Sequence, residues 1–274
     1  MLCFPNAKIN IGLNITKKRA DGFHDLETIF YPVGLCDALE FAPLSQEITT
    51  PYEFHNSGIE VDGPQSDNII IKAYQLLQKD HLIPPLHIHL HKNIPFGAGL
   101  GGGSADAAFM IHYLDKAFGL NIPLQKQEEY ASQLGSDCAF FIANKPTFAY
   151  GRGELFSPIN LDLSNYHILL VKPNVAISTA QAYANINPHT VNTSLTELTQ
   201  LPIDEWEGKV INDFEKSIFP SYPQLQQIKD ILYKNGALYA SMSGSGSTIY
   251  GIFREIPTHL PQLERYFTWS GKML

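Results

Sequence analysis

The segment Gly97-Ala98-Gly99-Leu100-Gly101-Gly102-Gly103-Ser104 places five glycines in seven positions. Without Cβ atoms, successive backbone N–H groups can close in on an anion. The loop also opens a segment with helical patterning, and a helix N-terminus favours negative charge through its free amides and its dipole. A phosphate is the natural guest; a flexible loop making a tight helix–strand contact is the plainer alternative. A Walker A loop is excluded, because Gly102-Gly103-Ser104 carries no lysine where GK[ST] is required. Gly97, Gly99 and Gly102 do satisfy GxGxxG. However, the strand before them has three histidines on one face, and the helix after them runs into Pro123 and another helix. A dinucleotide fold needs a second strand there, so that reading ranks second.

A second Gly/Ser loop, Ser243-Gly244-Ser245-Gly246-Ser247, reads alone as a hairpin tip and, paired with the first, as a lid over a nucleotide. Lys8 and Asn10 lie two apart on a strand and share a face at ~7 Å, with Gly12 leaving that face open beyond them. For an isolated lysine the plainer expectation is a solvent-facing edge. Asp137 follows Gly135-Ser136 and precedes an apolar run, which suits a turn or cap aspartate as well as a catalytic one. His87, His89 and His91 could ligate a metal, but the wet face of an antiparallel strand is favoured because no acid or cysteine stands nearby in sequence.

These residues need elements to hold them. Ile9, Ile11, Leu13 and Ile15 alternate with Lys8, Asn10, Gly12 and Asn14, which predicts a strand over 7–15 with one buried face. Asp21-Gly22 marks a turn, and strands follow at 26–33 and 38–41 in an antiparallel opening. Residues 66–77 predict a helix with Ile69, Ile70, Ala73, Leu76 and Leu77 on one stripe, capped by Ser66 or Asp67. A strand at 86–94 leads to the glycine loop and a helix through Phe118, stopped by Gly119. A helix at 123–134 has Pro123 at its first position. A hairpin at 147–156 precedes Pro158, near which a boundary divides the chain into 1–158 and 159–274. Beyond it come a strand at 167–173, a polar loop with a short helix at 187–200, a helix at 223–236, and a strand–turn–strand at 237–253. Irregular interleaving of this kind indicates an α+β fold with mixed sheets.

Composition narrows the classes. The chain has 274 residues, 44% of them hydrophobic and 17% charged, enough apolar material for a real core. A net charge of −8 makes it a poor binder of nucleic-acid backbones. Cys3, Cys36 and Cys138 are scattered and form no CxxC, so neither a disulfide framework nor a zinc site is suggested, and a reducing, cytoplasmic setting is expected. No apolar run approaches the ~20 residues of a membrane span, and MLCFPNAK lacks a basic start, so neither a membrane nor a secretory signal is expected.

Across nearly the whole chain, PNAKINIGLNITKKRADGFHDLETIF (5–30), IPFGAGLGGGSADAA (94–108), GSDCAFF (135–141), GRGE (151–154), NDFE (212–215) and MSGSGSTIYGIF (242–253) resemble the GHMP small-molecule kinases. The resemblance implies an N-terminal domain like ribosomal protein S5 domain 2, a ferredoxin-like C-terminal domain, and ATP with Mg2+. RADGFH further implies a cytidine diphosphate-linked methylerythritol as the alcohol phosphorylated, rather than homoserine or another small alcohol of the superfamily. A monomer or weak homodimer is expected. By the same resemblance Lys8 and Asp137 are catalytic. Pro95, Phe96, Gly97, Ala98, Gly99, Leu100, Gly101, Gly102, Gly103, Ser104 and Ala105 hold the nucleotide, with Asn68 and Lys72 beside it and Ser104 on the metal. Asn10 lies near the phosphoryl acceptor, His24 reads the cytosine edge, and Phe23 and Tyr183 sandwich the ring. Cys138 stands where valine is more usual, and a single serine, Ser104, where many members have two. Asp106, in the first helical turn, is expected to face away from the phosphates or to act through Mg2+.

Overall fold

In the structure, a computed structural model describing residues 1–44, 50–61, 63–184, 186–191 and 193–274, the alternating opening segment is a strand of 13 residues. The elements in chain order are β1 (Leu2–Cys3), β2 (Asn6–Lys18), β3 (His24–Cys36), β4 (Ala38–Pro43), β5 (Tyr52–Gly58), α1 (Ile69–Gln78), β6 (Leu86–Lys92), α2 (Gly102–Phe118), α3 (Leu124–Leu134), α4 (Phe140–Ala143), β7 (Thr147–Gly151) and β8 (Leu155–Pro158). They continue as β9 (His167–Lys172), α5 (Thr179–Tyr183), α6 (Leu195–Leu198), α7 (Asp213–Ile218), α8 (Pro223–Lys234), β10 (Tyr239–Met242), β11 (Ile249–Phe253) and β12 (Phe267–Lys272). The fold is α+β. By packing it divides into two units, one of residues 1–7, 35–96 and 101–144, the other of 8–34, 97–100 and 145–274. Neither unit is a continuous stretch, so the packing does not follow a single cut near 158.

The first unit carries a sheet in the order β1-β4-β6-β5. β6 runs antiparallel to β4 and parallel to β5, so the histidine strand is not purely antiparallel as its pattern suggested. The parallel pair is joined through α1, as a crossover requires. Leu86, Ile88 and Leu90 of β6 and Phe54 of β5 are buried, whereas His87, His89 and His91 lie on the wetter face. α1 starts later than the sequence suggests. Gln65–Asp67 form a 3-10 turn, so Ser66 and Asp67 cannot cap, and the Asn68 side chain accepts the Ile70 N–H at 2.9 Å. The buried stripe is Ile70, Ile71, Ala73, Tyr74 and Leu77, rotated from the one expected. α2 opens on Gly101 in the left-handed region and stops at Gly119, also left-handed. Pro123 is the N-cap of α3 rather than its first helical residue.

The second unit holds the sheets β2-β3-β7-β8 and β10-β11-β9-β12. Leu13, Ile15, Val171, Phe214, Ile228 and Met242 share its apolar core. α8 contributes Leu225, Ile228 and Leu232, spaced for one helical face. The expectation for β2 of one buried face is corrected: Lys8, Asn10 and Asn14 are buried as fully as the isoleucines between them. Gly12 does not leave that face open either. At φ +63°, a Cβ there would sit 2.5 Å from Leu195 Cδ2, so glycine is required by a close approach.

Candidate active site

The glycine loop is held from two sides. The Lys8 amide donates to the Leu100 carbonyl at 2.9 Å, which joins the lysine strand to the loop. Ser243 Oγ donates to the Gly99 carbonyl at 2.7 Å and accepts from the Asn10 amide at 3.2 Å, and the Thr248 amide donates to the Ala98 carbonyl at 3.3 Å. A Cβ on Gly99 would lie 2.0 Å from the Ser243 carbonyl oxygen. The second Gly/Ser loop is therefore packed onto residues 97–100. NDFE anchors that second loop. Asn212 caps α7 and donates its amide to the carbonyls of Met242 and Gly244, both at 2.8 Å. Glu215 accepts from the Met242 amide at 2.8 Å and from Lys229 Nζ at 2.6 Å.

Lys8 is 3% exposed, so the solvent-edge reading fails. A buried ammonium must be partnered. Its Nζ donates to Asn10 Oδ1 at 2.6 Å and lies 4.7 Å from the centre of the Phe30 ring. Asn10 Nδ2 donates to Thr28 Oγ1 at 3.0 Å, and Thr28 donates to the Gly12 carbonyl at 2.6 Å. This chain of bonds fixes the lysine and Asn10 on one face.

Residues 101–105 begin α2 in the first unit. Beneath Gly102 lies Lys92, 1% exposed, whose Nζ donates to Asp106 Oδ2 at 2.7 Å and more closely to Asp37 Oδ2. A Cβ on Gly102 would be 3.0 Å from that ammonium. Asp37 also accepts the amides of Asn93 at 2.6 Å and Ile94 at 2.7 Å, whereas Asp106 Oδ1 has no partner among the described residues. Burial therefore holds the Asp106 carboxyl well above the usual range, the Asp37 charge adds to the rise, and Lys92 opposes it. The folded chain keeps this proton where the unfolded chain releases it. Asp106 thus lowers stability as pH rises from the ordinary aspartate range upward. Asp106→Asn, isosteric with the protonated acid, is expected to flatten that decline. Urea midpoints at pH 5 and pH 8 test this, and an unchanged slope in the variant would remove Asp106 as its source.

Burial pushes the Cys138 thiol up to about 11, with nearby Ser104 opposing the rise. Asp137 is half-buried on the turn between α3 and α4, where the Cys138 amide donates to the Gly135 carbonyl at 3.1 Å. A cavity of about 450 Å3 opens nearby, lined by Phe54, Asn68, Phe96, Gly103 and Asp106 among others. Of the residues expected around the nucleotide, Asn68, Phe96 and Gly103 meet there. Lys72 is exposed and does not line it, and the side chains of Ala98, Leu100 and Ala105 belong to the core.

At the 19–25 turn, Arg19 clips Asp21 at 3.0 Å and Asp25 at 2.9 Å. Phe23 projects from it, 57% exposed, with the Arg152 guanidinium 5.3 Å from its ring centre. His24 stacks on Tyr183 with centroids 4.9 Å apart and planes at 22°. The structure thus pairs Tyr183 with His24, and Phe23 with Arg152.

Residues 68–151 match the GHMP kinases N terminal domain, and residues 202–259 match the GHMP kinases C terminal domain. A 4-diphosphocytidyl-2-C-methyl-D-erythritol kinase from Bacteroides fragilis is 53% identical over 253 residues, 92% of each chain. One of the same name from Bacteroides thetaiotaomicron is 51% identical over all of both chains. This chain belongs to the 4-diphosphocytidyl-2-C-methyl-D-erythritol kinase family of GHMP kinases. A crystal structure of a 4-(cytidine 5'-diphospho)-2C-methyl-D-erythritol kinase superposes with a TM-score of 0.79 at 27% identity, covering 100% of this chain and 99% of that one. A homoserine kinase from Cytophaga hutchinsonii, at TM-score 0.63 and 16% identity over 98% and 95% of the chains, shares the fold alone. As a member of this family the chain is an ATP-dependent kinase of a small molecule with the two-domain GHMP fold.

Some residues of this GHMP kinase escaped the sequence reading. Lys92 continues the apolar phase of Leu86, Ile88 and Leu90, and a charge in that phase signals a buried partner. Arg152 was visible in GRGE, but its approach to Phe23 depends on a hairpin meeting a distant turn. The anchoring role of Asn212 and Glu215 has no local signature, because their acceptors and donors lie some thirty residues on.

Proposed function

We propose that this enzyme transfers the γ-phosphoryl group of ATP to the 2-hydroxyl of 4-diphosphocytidyl-2-C-methyl-D-erythritol, in the non-mevalonate route to isoprenoid precursors. The observation that carries this reading is the mutual locking of the two Gly/Ser loops with the Lys8 strand through Ser243, Gly99 and Asn10. In it, the amides of residues 97–103 hold the triphosphate. Asp137 orients the attacking hydroxyl and accepts its proton. Lys8, preset by Asn10, offsets charge on the transferring group. Phosphoryl transfer has a loose transition state, so position and charge count for more than base strength. The adenine enters the 450 Å3 cavity beside Asn68 and Phe96.

Mg2+ takes few protein ligands and leans on phosphate oxygens and water. The donors here fit that pattern. Asp106 is tied to Lys92, and Ser104 offers a hydroxyl oxygen at the start of α2. When bound with the nucleotide, the ion supplies neutralisation of the β- and γ-phosphate charge. The packing units cut across the family's sequence division, which we place near residue 158. We place the enzyme in the cytoplasm as a monomer or weak homodimer working without nucleic acid or membrane; free Cys3, Cys36 and Cys138 are consistent with a reducing compartment.

The cytidine end is read by His24, Phe23 and Tyr183. Coupled ADP release tests the whole: it should need the cytidyl-diphosphate alcohol, and homoserine should not replace it. His24→Ala should raise the KM for that alcohol about tenfold or more with kcat little changed, from the loss of one stacked, hydrogen-bonding ring. Equal turnover of homoserine, or an unaltered KM, contradicts the assignment.

A further inference from the structure

The face of the first unit's sheet opposite Phe54 and Leu90 carries side chains that the kinase reaction does not use. β5 presents Glu53, His55 and Ser57 there, and β6 presents His87, His89 and His91. In the parallel register Glu53 pairs with His87 and His55 with His89. We propose that Glu53, His55 and His87 form a binding site for a divalent transition-metal ion of the Zn2+ class. One potential ligand atom from each lies within 4.8 Å of the others, and the His55 and His87 rings stand 5.2 Å apart. Ligand atoms around a tetrahedral Zn2+ are separated by ~3.4 Å, so small side-chain rotations close the set.

Two imidazoles with one carboxylate suit Zn2+, Ni2+ or Cu2+ and do not suit Mg2+, which prefers oxygen. The site is therefore chemically separate from the metal that accompanies ATP. All three ligands stand on hydrogen-bonded neighbouring strands rather than on loops, so little ordering is needed on binding. Glu53 and His87 are half-buried while His55 is exposed, leaving the ion open to water on one side. His89 and His91 are both engaged by Ser57, at 2.8 and 3.0 Å, which sets them apart from the ligand set. β5 is the edge strand of its sheet, so an ion shared with β6 would fasten that edge.

The test is calorimetric titration of Zn2+ into untagged, chelator-treated protein without nucleotide and with Mg2+ in excess. One saturable equivalent is expected, together with a rise in the unfolding temperature on Zn2+ addition. Glu53→Gln and His55→Ala should each abolish both effects while leaving Mg2+-dependent kinase activity intact, which also shows that the variants fold. His89→Ala should retain binding. Absence of saturable binding by the native chain, or undiminished binding by Glu53→Gln and His55→Ala, overturns the proposal. Loss on His89→Ala with retention by His55→Ala places the ion elsewhere on this face and equally overturns it.

Discussion

Asp137→Asn is expected to lower kcat by roughly 100- to 10,000-fold, the usual contribution of a positioned general base. ATP affinity should stay within about twofold. The amide preserves the size of the side chain and its place on the turn, but it cannot accept the proton of the attacking alcohol. The turn itself is fixed independently, because the Cys138 amide donates to the Gly135 carbonyl at 3.1 Å. The variant therefore removes chemistry and leaves architecture. Single-turnover phosphate transfer, compared with equilibrium binding of an ATP analogue, separates the two. Turnover within tenfold of native would end the assignment of Asp137 as base.

Gly99→Ala is the second large effect. A Cβ at this position would lie 2.0 Å from the Ser243 carbonyl oxygen and 2.9 Å from its carbon, so one of the two Gly/Ser loops must move. The backbone is also at φ +75°, where an L side chain costs about 1–2 kcal/mol. The displaced amides would no longer converge on a phosphate. With several donors misplaced, each worth about 1 kcal/mol or more, ATP affinity should fall roughly a hundredfold or further. Gly97→Ala is the control. Its φ is +55°, but a Cβ there meets nothing within 4 Å, so only the conformational cost applies and the loss should be no more than about 5- to 30-fold. Equal losses in the two variants would show that the loop–loop contact is irrelevant to binding.

Much of this was legible in the sequence, for identifiable reasons. Gly97, Gly99 and Gly101 all adopt positive φ, so the glycine density reported a real backbone demand. The strand, loop and helix around them follow from local alternation and from Gly119 as a stop. The strand–turn–strand at 237–253 was equally plain, since β10 and β11 pair across the second loop. β5, with its sequence YEFHNSG, lacks clean alternation and is set by its neighbour β6, whereas β12, FTWSGK, alternates in burial but is too short to stand out. The burial of both faces of β2 was hidden because Lys8, Asn10 and Asn14 look like a wet face. Their partners, Thr28 and Ser243 among them, are distant in sequence. The wet histidine face was legible from its alternation, but its neighbour Glu53 was not, because that residue comes from a strand more than thirty residues earlier. Local patterns place elements, whereas buried polar networks are decided by tertiary neighbours.

The most direct measurement of the central claim is a crystal structure of the enzyme with a non-hydrolysable ATP analogue, Mg2+ and the cytidyl-diphosphate alcohol. We expect the γ-phosphate on the amides of residues 97–103, with the Lys8 ammonium beside it. The Asp137 carboxylate should lie within hydrogen-bond reach of the 2-hydroxyl. A γ-phosphate seated away from that loop, or a 2-hydroxyl beyond reach of Asp137, would contradict it.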